Sequence, residues 1–339
     1  MSRKSKKQSE LEGLDRVLAL LEQAPPGLHD VAPPSPELPS GLPPPLIELY
    51  ARCDGARMFL ETLEIVPAAE VTHEDDRWQF ATVEGEPVAL DKRGRIWRTD
   101  ASIEDAVCDG TRLDRWLSGQ VDGLDLLYDA DGEFADNVFD DDGELLPEVA
   151  ERQLRAQIKR DPGAPAPRWR LALAMIAQGS TIVARGELEE TVAHDPTFAW
   201  AWLDLARISE QLGELPNAID EVRMAADVAE GARHPQAGYF WAQLARLAVR
   251  AGDDLLRAEA ATKTSLLAPD LKRAQLDGAA ERLEAGDQAS AKGLLELLRA
   301  VWPRDLEVLD LARRVEAFVP PPPEPDDEVD AGDDDETAN

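Results

Sequence analysis

The chain has 339 residues, and its 68 acidic against 36 basic side chains give a formal net charge of −32. A field of this sign repels nucleic acid and anionic membrane surfaces, so both are excluded as expected partners, whereas a basic protein would be attracted. The hydrophobic fraction of 43% is that of a folded protein, and the length leaves room for two domains.

Two cysteines, Cys53 and Cys108, are too few for a disulfide framework and lack the spacing of metal ligands. They fit a reducing compartment. The basic start of the chain, Met1–Lys7, is not followed by the apolar run of a signal peptide, and no stretch reaches the roughly 20 apolar residues that span a bilayer. We therefore expect a cytoplasmic protein.

The first predicted segment, residues 1–45, combines a basic arm, a short helix and a Pro-rich linker. The leucines between Leu11 and Leu21 are spaced as in an amphipathic helix. Nine prolines follow within residues 25–45, which is typical of an extended linker that leads into a domain.

Residues 46–155 carry mixed signals that predict an α+β domain. A short helix begins at Leu46 and ends before Asp54-Gly55. Predicted strands follow, separated by turns that contain glycine, at residues 63–66, 78–83, 88–90 and 96–98. A helix that begins near Thr111 closes this predicted meander.

Residues 156–319 contain no convincing strand and are rich in Ala, Leu, Arg and Glu, which favour helices. We predict an all-α array of helical hairpins over this range. From residue 320 onward there are nine acidic residues and no basic one, so residues 320–339 are predicted to form a disordered acidic tail.

The helical range repeats itself. Four glycines mark the repeat: Gly179, Gly213, Gly252 and Gly286. They are separated by 34, 39 and 34 residues, and the longest interval contains a five-residue insertion around residues 231–235. Small residues such as Ala206 and Ala245 recur where two antiparallel helices would cross closely. Each unit is therefore predicted to be a helical hairpin that turns at its glycine.

The order of residue types within each unit points to a known repeat. The best unit contains, in order, Trp202, Leu205, Ala206, Gly213 and Ala218. This order at a 34-residue period resembles the tetratricopeptide repeat (TPR) over residues 165–303, with a final capping helix at 305–319, although Arg168 replaces the aromatic residue of the first unit. The resemblance implies a superhelix whose concave groove is lined by the first helix of each hairpin.

The same resemblance places particular side chains in that groove. They are Trp200, Arg207, Tyr239, Arg246, Arg250 and Arg273. A guanidinium group forms paired hydrogen bonds with a carboxylate, so this row would bind an acidic peptide or a C-terminus. Alternatively, the arginines are solvated and pair with nearby acids such as Asp204 and Glu210. In a further alternative, the acidic tail occupies the groove until a partner displaces it.

The N-terminal range shows a second resemblance, to the SUKH superfamily, over residues 40–150. It rests on Leu42-Pro43, the helix ending at Asp54-Gly55, the aromatic strand Trp78–Ala81, the hairpin 88–97 and the closing helix with Trp116-Leu117. That superfamily includes fungal regulators of cell-wall synthesis and many bacterial immunity proteins, and its members act by binding proteins. The resemblance implies a binding surface on the exposed face of the sheet or on its loops.

Patterns for metal binding and catalysis do not fit the sequence. The acidic turns at 129–132 and 140–143 lack acids at positions that an EF-hand loop requires, so we interpret them as solvated turns. The four histidines, His29, His73, His194 and His234, share no helix face with another ligand. There is no Gly-rich phosphate loop and no nucleophile motif. We predict no cofactor, no metal and no catalytic residue.

Together these features predict a non-enzymatic adaptor or scaffold that binds proteins through the TPR groove and the SUKH-like surface. The expected partners are an acidic peptide or C-terminus in the groove and a basic partner on the acidic N-terminal domain. The alternative is an immunity-type protein that neutralises a basic toxin, for example a nuclease, by direct binding, and the negative charge favours it. An enzyme fits the sequence least well.

Overall fold

The helices and strands lie within residues 13–35 and 37–318, the parts of the chain that the computed structural model describes. The basic arm before Gly13 and the acidic tail 320–339 are outside the described residues. Contacts divide the chain into two units, a first unit that ends at Val228 and a second unit that begins at Ala229.

The first unit contains one antiparallel sheet. Its strands are β1 (His29–Val31), β2 (Ala56–Met58), β3 (Leu63–Ile65), β4 (Thr72–Glu74), β5 (Arg77–Val83), β6 (Glu86–Asp91), β7 (Ile96–Asp100) and β8 (Asp105–Gly110). Their order is β1-β2-β3-β5-β6-β7-β8, and β4 pairs with β5. The predicted strands β3, β5, β6 and β7 are confirmed, whereas β1, β2, β4 and β8 were not predicted.

The helices account for most of the remaining chain. They are α1 (Gly13–Leu21), α2 (Pro44–Tyr50), α3 (Leu113–Leu124), α4 (Pro147–Arg160), α5 (Pro165–Ala177), α6 (Thr181–His194), α7 (Ala199–Gln211), α8 (Leu215–Gly231), α9 (Ala237–Ala251), α10 (Asp254–Leu267), α11 (Leu271–Glu284), α12 (Gln288–Val301) and α13 (Leu306–Glu316). No helix among residues 13–35 and 37–318 is long and apolar enough to cross a membrane.

The sheet domain begins earlier in the chain than the sequence predicts. Leu14, Val17 and Leu21 form one apolar face of α1, and all three are buried in the core beneath the sheet. His29–Val31 pairs with β2, and Leu28 is buried in the same core. The Pro-rich range 25–45 is therefore not only a linker, because it contributes a strand and a core residue to the domain.

The predicted boundary between residues 155 and 156 falls inside α4. This helix contacts α3 on one side and α5 on the other. Thr111, just before α3, donates hydrogen bonds from its backbone N–H and its hydroxyl to the carboxylate of Asp161, both at 2.6 Å. The sheet domain therefore continues into the helical hairpins without a linker.

A buried polar network joins the sheet to the first hairpin. Arg170 of α5 donates from Nε to Asp100 Oδ2 at 2.9 Å and from Nη1 to Asp109 Oδ1 at 2.5 Å. Asp109 Oδ2 also accepts the indole N–H of Trp116 at 2.8 Å and the amide of Gln120 at 3.3 Å. These bonds hold β7, β8, α3 and α5 in one arrangement.

The same network fixes the charge state of its members. Burial alone would raise the pKa of Asp109, but the charges of Arg170 and Arg98 and the hydrogen bond from Trp116 hold it below its usual range. Burial alone would lower the pKa of Arg170, but Asp109 and Asp100 raise it. Both partners are thus charged within a buried region, where each depends on the other.

The helical range has the predicted hairpin construction. The four repeat glycines adopt left-handed backbone conformations, with φ of 78°, 77°, 71° and 82°, as the ends of helices that reverse direction require. Ala206, Ala218 and Ala245 are buried, as expected at close helix crossings. In the first hairpin the buried aromatic side chain is Trp169, one residue after the predicted position of Arg168. The C-terminal region is thus built of TPR-like hairpins.

In the second unit, hairpins α9/α10 and α11/α12 are followed by α13. The helix α12 has two apolar faces. Ala291, Leu295 and Leu298 lie in a core with α11 and α13, while Leu297 and Val301 are buried outside that core. Accordingly α12 contacts both α9 and α10.

Candidate functional site

In the first unit the predicted groove residues are Trp200 and Arg207, both on α7. They are seven residues apart and therefore lie on the same face of the helix. Arg207 Nη1 donates to Asp204 Oδ1 at 2.6 Å, and Asp204 Oδ2 accepts the indole N–H of Trp169 at 2.8 Å. Asp204 is buried and Arg207 is half-exposed, so Asp204 holds the arginine at the surface while it joins α7 to α5.

In the second unit Tyr239, Arg246 and Arg250 follow one another along α9. Arg246 Nε donates to Gln243 Oε1 at 3.0 Å. Burial lowers the pKa of the Arg246 guanidinium, against the opposing charge of Glu296. Trp200, Tyr239, Arg246 and Arg250 each take part in at least one further polar, aromatic or electrostatic interaction, so none of them is free of the rest of the protein.

Arg273 lies on the exposed side of α11. Its guanidinium pairs with Asp277 at 2.8 Å and approaches Glu307 at 3.9 Å. Both of these carboxylates are on other turns or elements of the second unit, Asp277 on α11 itself and Glu307 on α13. The predicted groove residues thus lie in one set on α7 and a second set on α9, and Arg273 lies on α11.

The pairing that the alternative interpretation of these arginines expected is present at Arg207, which bonds to Asp204. Arg273 likewise pairs with a carboxylate on its own helix. A partner carboxylate would therefore bind to guanidinium groups that already have internal partners. The internal bonds restrict both arginine side chains.

The outer face of the sheet carries a cluster that the sequence analysis did not identify. We call Arg77, Asp91, Arg95 and Trp97 the Arg–Trp cluster. The guanidinium carbons of Arg77 and Arg95 lie 4.2 and 4.8 Å from the centre of the Trp97 ring. Both distances are those of cation–π contacts. In β7 buried and exposed side chains alternate, with Ile96 buried and Trp97 on the opposite face. This alternation is the sequence signal that places Trp97 on the outer face of the sheet.

Two acidic turns form a second surface of the sheet domain. In each turn one carboxylate oxygen accepts two backbone N–H groups: Asp129 from Asp131 and Glu133, and Asp140 from Asp142 and Glu144. These bonds account for Asp129 and Asp140 as turn residues. Residues 129–144 contain eight acidic residues and no basic one, so this surface is strongly negative.

Aromatic rings run beside the acidic turns. The ring centres of Phe59 and Tyr128 are 5.5 Å apart, those of Tyr128 and Phe134 are 5.0 Å apart, and those of Phe134 and Phe139 are 4.9 Å apart. Phe134 is 51% exposed. The surface therefore combines an exposed aromatic side chain with surrounding carboxylates.

The thiols and the histidines do not form a reactive group. Burial raises the pKa of Cys53 to about 11 and that of Cys108 to about 12, so neither thiol ionises near neutral pH. The His73 ring stacks on Trp78 with 4.3 Å between ring centres. Within residues 13–35 and 37–318 no three His, Cys, Asp or Glu side chains are grouped as metal ligands would be.

Comparison with known proteins gives structural likenesses only. No protein-family model and no curated protein matches the chain. Among solved structures, it is similar to MamA, with 20% identity over 50% of this chain and 90% of that one and a TM-score of 0.34. It is similar to PilF of Pseudomonas aeruginosa, with 16% identity, coverage of 50% and 75%, and a TM-score of 0.36.

A third likeness is to YrrB, described as a TPR protein with an unusual peptide-binding site, with 13% identity, coverage of 49% and 84%, and a TM-score of 0.32. Identities this low concern the fold alone. The TPR-like character of the helical range rests on features of this chain itself: the repeat glycines in left-handed conformation and the buried alanines at the helix crossings.

Proposed function

We propose that the protein is a non-enzymatic, cytoplasmic adaptor that binds partner proteins through its TPR-like hairpins. The observation that carries this proposal is the repeated hairpin itself, because hairpins that stack only on their neighbours leave an extended surface along the array. Aromatic residues and arginines often dominate protein interfaces. The residues proposed to contact the partner are Trp200 and Arg207 on α7 of the first unit and Tyr239 and Arg246 on α9 of the second unit. The ligand that suits them is an acidic peptide or a C-terminal carboxylate.

The groove proposal predicts the effect of one triple variant. Replacing Arg207, Arg246 and Arg250 with alanine should reduce recovery of the partner at least tenfold, because each lost charge-assisted hydrogen bond weakens binding by about 1.5–3 kcal/mol. The measurement is affinity purification with the full-length chain from the native host, quantified by mass spectrometry.

A matched triple variant controls for charge. Arg115, Arg152 and Arg314 are exposed, so replacing them with alanine removes the same total charge outside the groove positions. Circular dichroism and thermal unfolding of both variants separate lost binding from lost folding. Equal recovery of the partner by the two folded variants would exclude the groove.

A second candidate function is the neutralisation of a basic protein, such as a nuclease toxin, by a SUKH-like domain. It is supported by the acidic turns, whose carboxylates are largely exposed, together with the exposed ring of Phe134. Opposite charges on two surfaces increase the rate of association, and an apolar residue at the centre supplies affinity. In this function the acidic turns, and not the helical hairpins, contact the partner.

Neutralising the acidic turns should abolish capture of a basic partner and leave the fold intact. The variant replaces the exposed acids Asp131, Glu133, Asp136, Asp141, Asp142 and Glu144 with the corresponding amides. It keeps Asp129 and Asp140, whose carboxylates close the turns. We expect the partner to be lost from affinity purification, and the salt dependence of any residual binding to decrease.

The control for this variant replaces six acids of α8, α11 and α13 that lie outside the sheet domain: Asp220, Asp227, Glu281, Glu284, Asp310 and Glu316. It changes the net charge by the same amount. Loss of the partner from both variants would mean that total charge, and not the acidic turns, governs the interaction.

A further inference from the structure

The strongest unassigned feature of the described chain is the Arg–Trp cluster on the outer face of the sheet. The strand register places Arg77 opposite Asp91 and Ala89 opposite Trp97. These side chains lie next to a shallow cavity of about 270 Å³, which is also lined by Asp75, Asp76, Lys92 and Arg93.

The carboxylate of Asp91, the residue opposite Arg77 in the strand register, already accepts four hydrogen bonds. Asp91 Oδ1 accepts the backbone N–H groups of Arg93 and Arg95 at 2.8 and 3.0 Å. Asp91 Oδ2 accepts Nε of Arg95 at 2.9 Å and the indole N–H of Trp97 at 3.0 Å. Burial alone would raise the pKa of Asp91, but these hydrogen bonds hold it below its usual range. Asp91 is therefore an ionised anchor for Arg95 and Trp97.

Arg77 has a different environment. Among residues 13–35 and 37–318, its guanidinium makes no hydrogen bond and no ion pair, and its described contact is with the face of Trp97. Burial lowers the pKa of this group, and the neighbouring charge of Arg95 lowers it further, while Asp91 and Asp105 act on it in the opposite direction through space. Arg77 is thus a partly desolvated cation whose fork of donors is unused.

The charged side chains that line the cavity do not balance one another. Asp76 pairs with Lys92 at 2.9 Å, and Asp91 pairs with Arg95. Among the residues that line the cavity, Arg77 and Arg93 then remain with one carboxylate, Asp75, so the lining carries one net positive charge in a chain whose net charge is −32. Asp105, which acts on Arg77 through space, is not part of this lining. We propose that the Arg–Trp cluster is a binding site for a carboxylate side chain of a protein partner, held by the guanidinium of Arg77 against Trp97.

A single carboxylate fits these charges better than a polyanion does. One planar carboxylate matches the guanidinium fork and the one excess charge. A nucleic acid or an anionic membrane would bring many charges against the strongly negative remainder of the protein. This site goes beyond the proposed groove, because it lies on the sheet and shares no residue with α7 or α9.

The test uses the full-length protein and two blocked tripeptides, acetyl-Gly-Glu-Gly amide, which carries a single carboxylate, and acetyl-Gly-Gln-Gly amide, at constant ionic strength. The readout is the NMR signal of the Trp97 indole N–H, identified by its loss in Trp97→Phe. We expect a saturable shift with the glutamate peptide and no shift with the glutamine peptide. Arg77→Gln should abolish the shift, and Arg77→Lys should weaken binding because the paired geometry is lost.

Arg115→Gln is the matched control, because Arg115 is exposed on α3. This substitution removes one positive charge, as Arg77→Gln does. It should bind the glutamate peptide as the unmodified protein does. Unchanged signals of the other indole groups show that each variant is folded. The proposal is overturned if the glutamate peptide causes no shift, if Arg77→Gln retains it, or if inorganic phosphate binds more tightly than the peptide and so defines a phosphate site.

Discussion

Replacing Arg170 with methionine should lower the free energy of unfolding by about 3–5 kcal/mol, the usual cost of removing one partner from a buried ion pair. Methionine keeps most of the apolar length of the side chain, so the loss reports on charge more than on packing. Asp109, which is 1% exposed, would remain buried with only the Trp116 and Gln120 donors. Urea unfolding followed by tryptophan fluorescence measures the change.

The pH dependence of this loss identifies its cause. In the unmodified protein the pKa of Asp109 is lowered, so its contribution is present above the unfolded pKa of about 4 and is lost as the pH falls through the folded value. Without Arg170, burial dominates and raises that pKa. The loss in the free energy of unfolding caused by Arg170→Met should therefore be largest near pH 7, and it should become smaller as Asp109 is protonated towards pH 4.

Two further variants separate charge from packing. Arg155→Met removes an arginine from an exposed pair with Glu151, and we expect a change below about 0.5 kcal/mol. Asp109→Asn combined with Arg170→Met removes the unpaired charge and should restore part of the stability. Two results would show that Arg170 stabilises the junction by packing alone. One is a loss in the free energy of unfolding that does not vary with pH, and the other is a larger loss in the double variant than in Arg170→Met.

The hairpins were predictable because their signals are local. Each repeat glycine, each small residue at a helix crossing and each helix-forming stretch lies within one hairpin, so the sequence displays them at a fixed period. The repeat spacing predicted the aromatic position at Arg168, but the buried aromatic residue is Trp169. Spacing alone was wrong by one residue, because a helix can rotate slightly to bury the larger side chain. The contact of α12 with the preceding hairpin was not predicted. Both apolar faces of α12 contain leucines, so the sequence does not distinguish the face that meets the preceding hairpin.

The junction and the Arg–Trp cluster were not predictable because their partners are distant in sequence. Arg170 is 61 residues from Asp109 and 70 from Asp100, and no periodic pattern connects residues so far apart. Arg77 meets Trp97 only through the register of β5, β6 and β7. The strand β1 was missed because three residues surrounded by prolines carry no alternation, and its pairing with β2 decides its structure.

Gly238→Ala should destabilise the second unit by roughly 1–3 kcal/mol, the typical cost of adding a methyl group to a filled site. A Cβ atom at Gly238 would lie 2.4 Å from the Cβ of Ala268 and 2.9 Å from its backbone nitrogen. Backbone cannot rotate away as a flexible side chain does, so α9 and the end of α10 would have to separate. Hydrogen-exchange protection of residues 237–268 measures this opening.

Gly293→Ala should change the stability of the protein in the opposite direction and stabilise it. Gly293 lies within α12, and a Cβ atom there meets nothing within 4 Å. Alanine at that position should stabilise the helix by about 0.5–1 kcal/mol, because glycine loses more backbone entropy on folding. Opposite signs at the two sites show that the start of α9 is packed against the end of α10. If Gly238→Ala also stabilised the protein, those two helices would not meet at Gly238, and the hairpin packing described for α9 and α10 would be wrong.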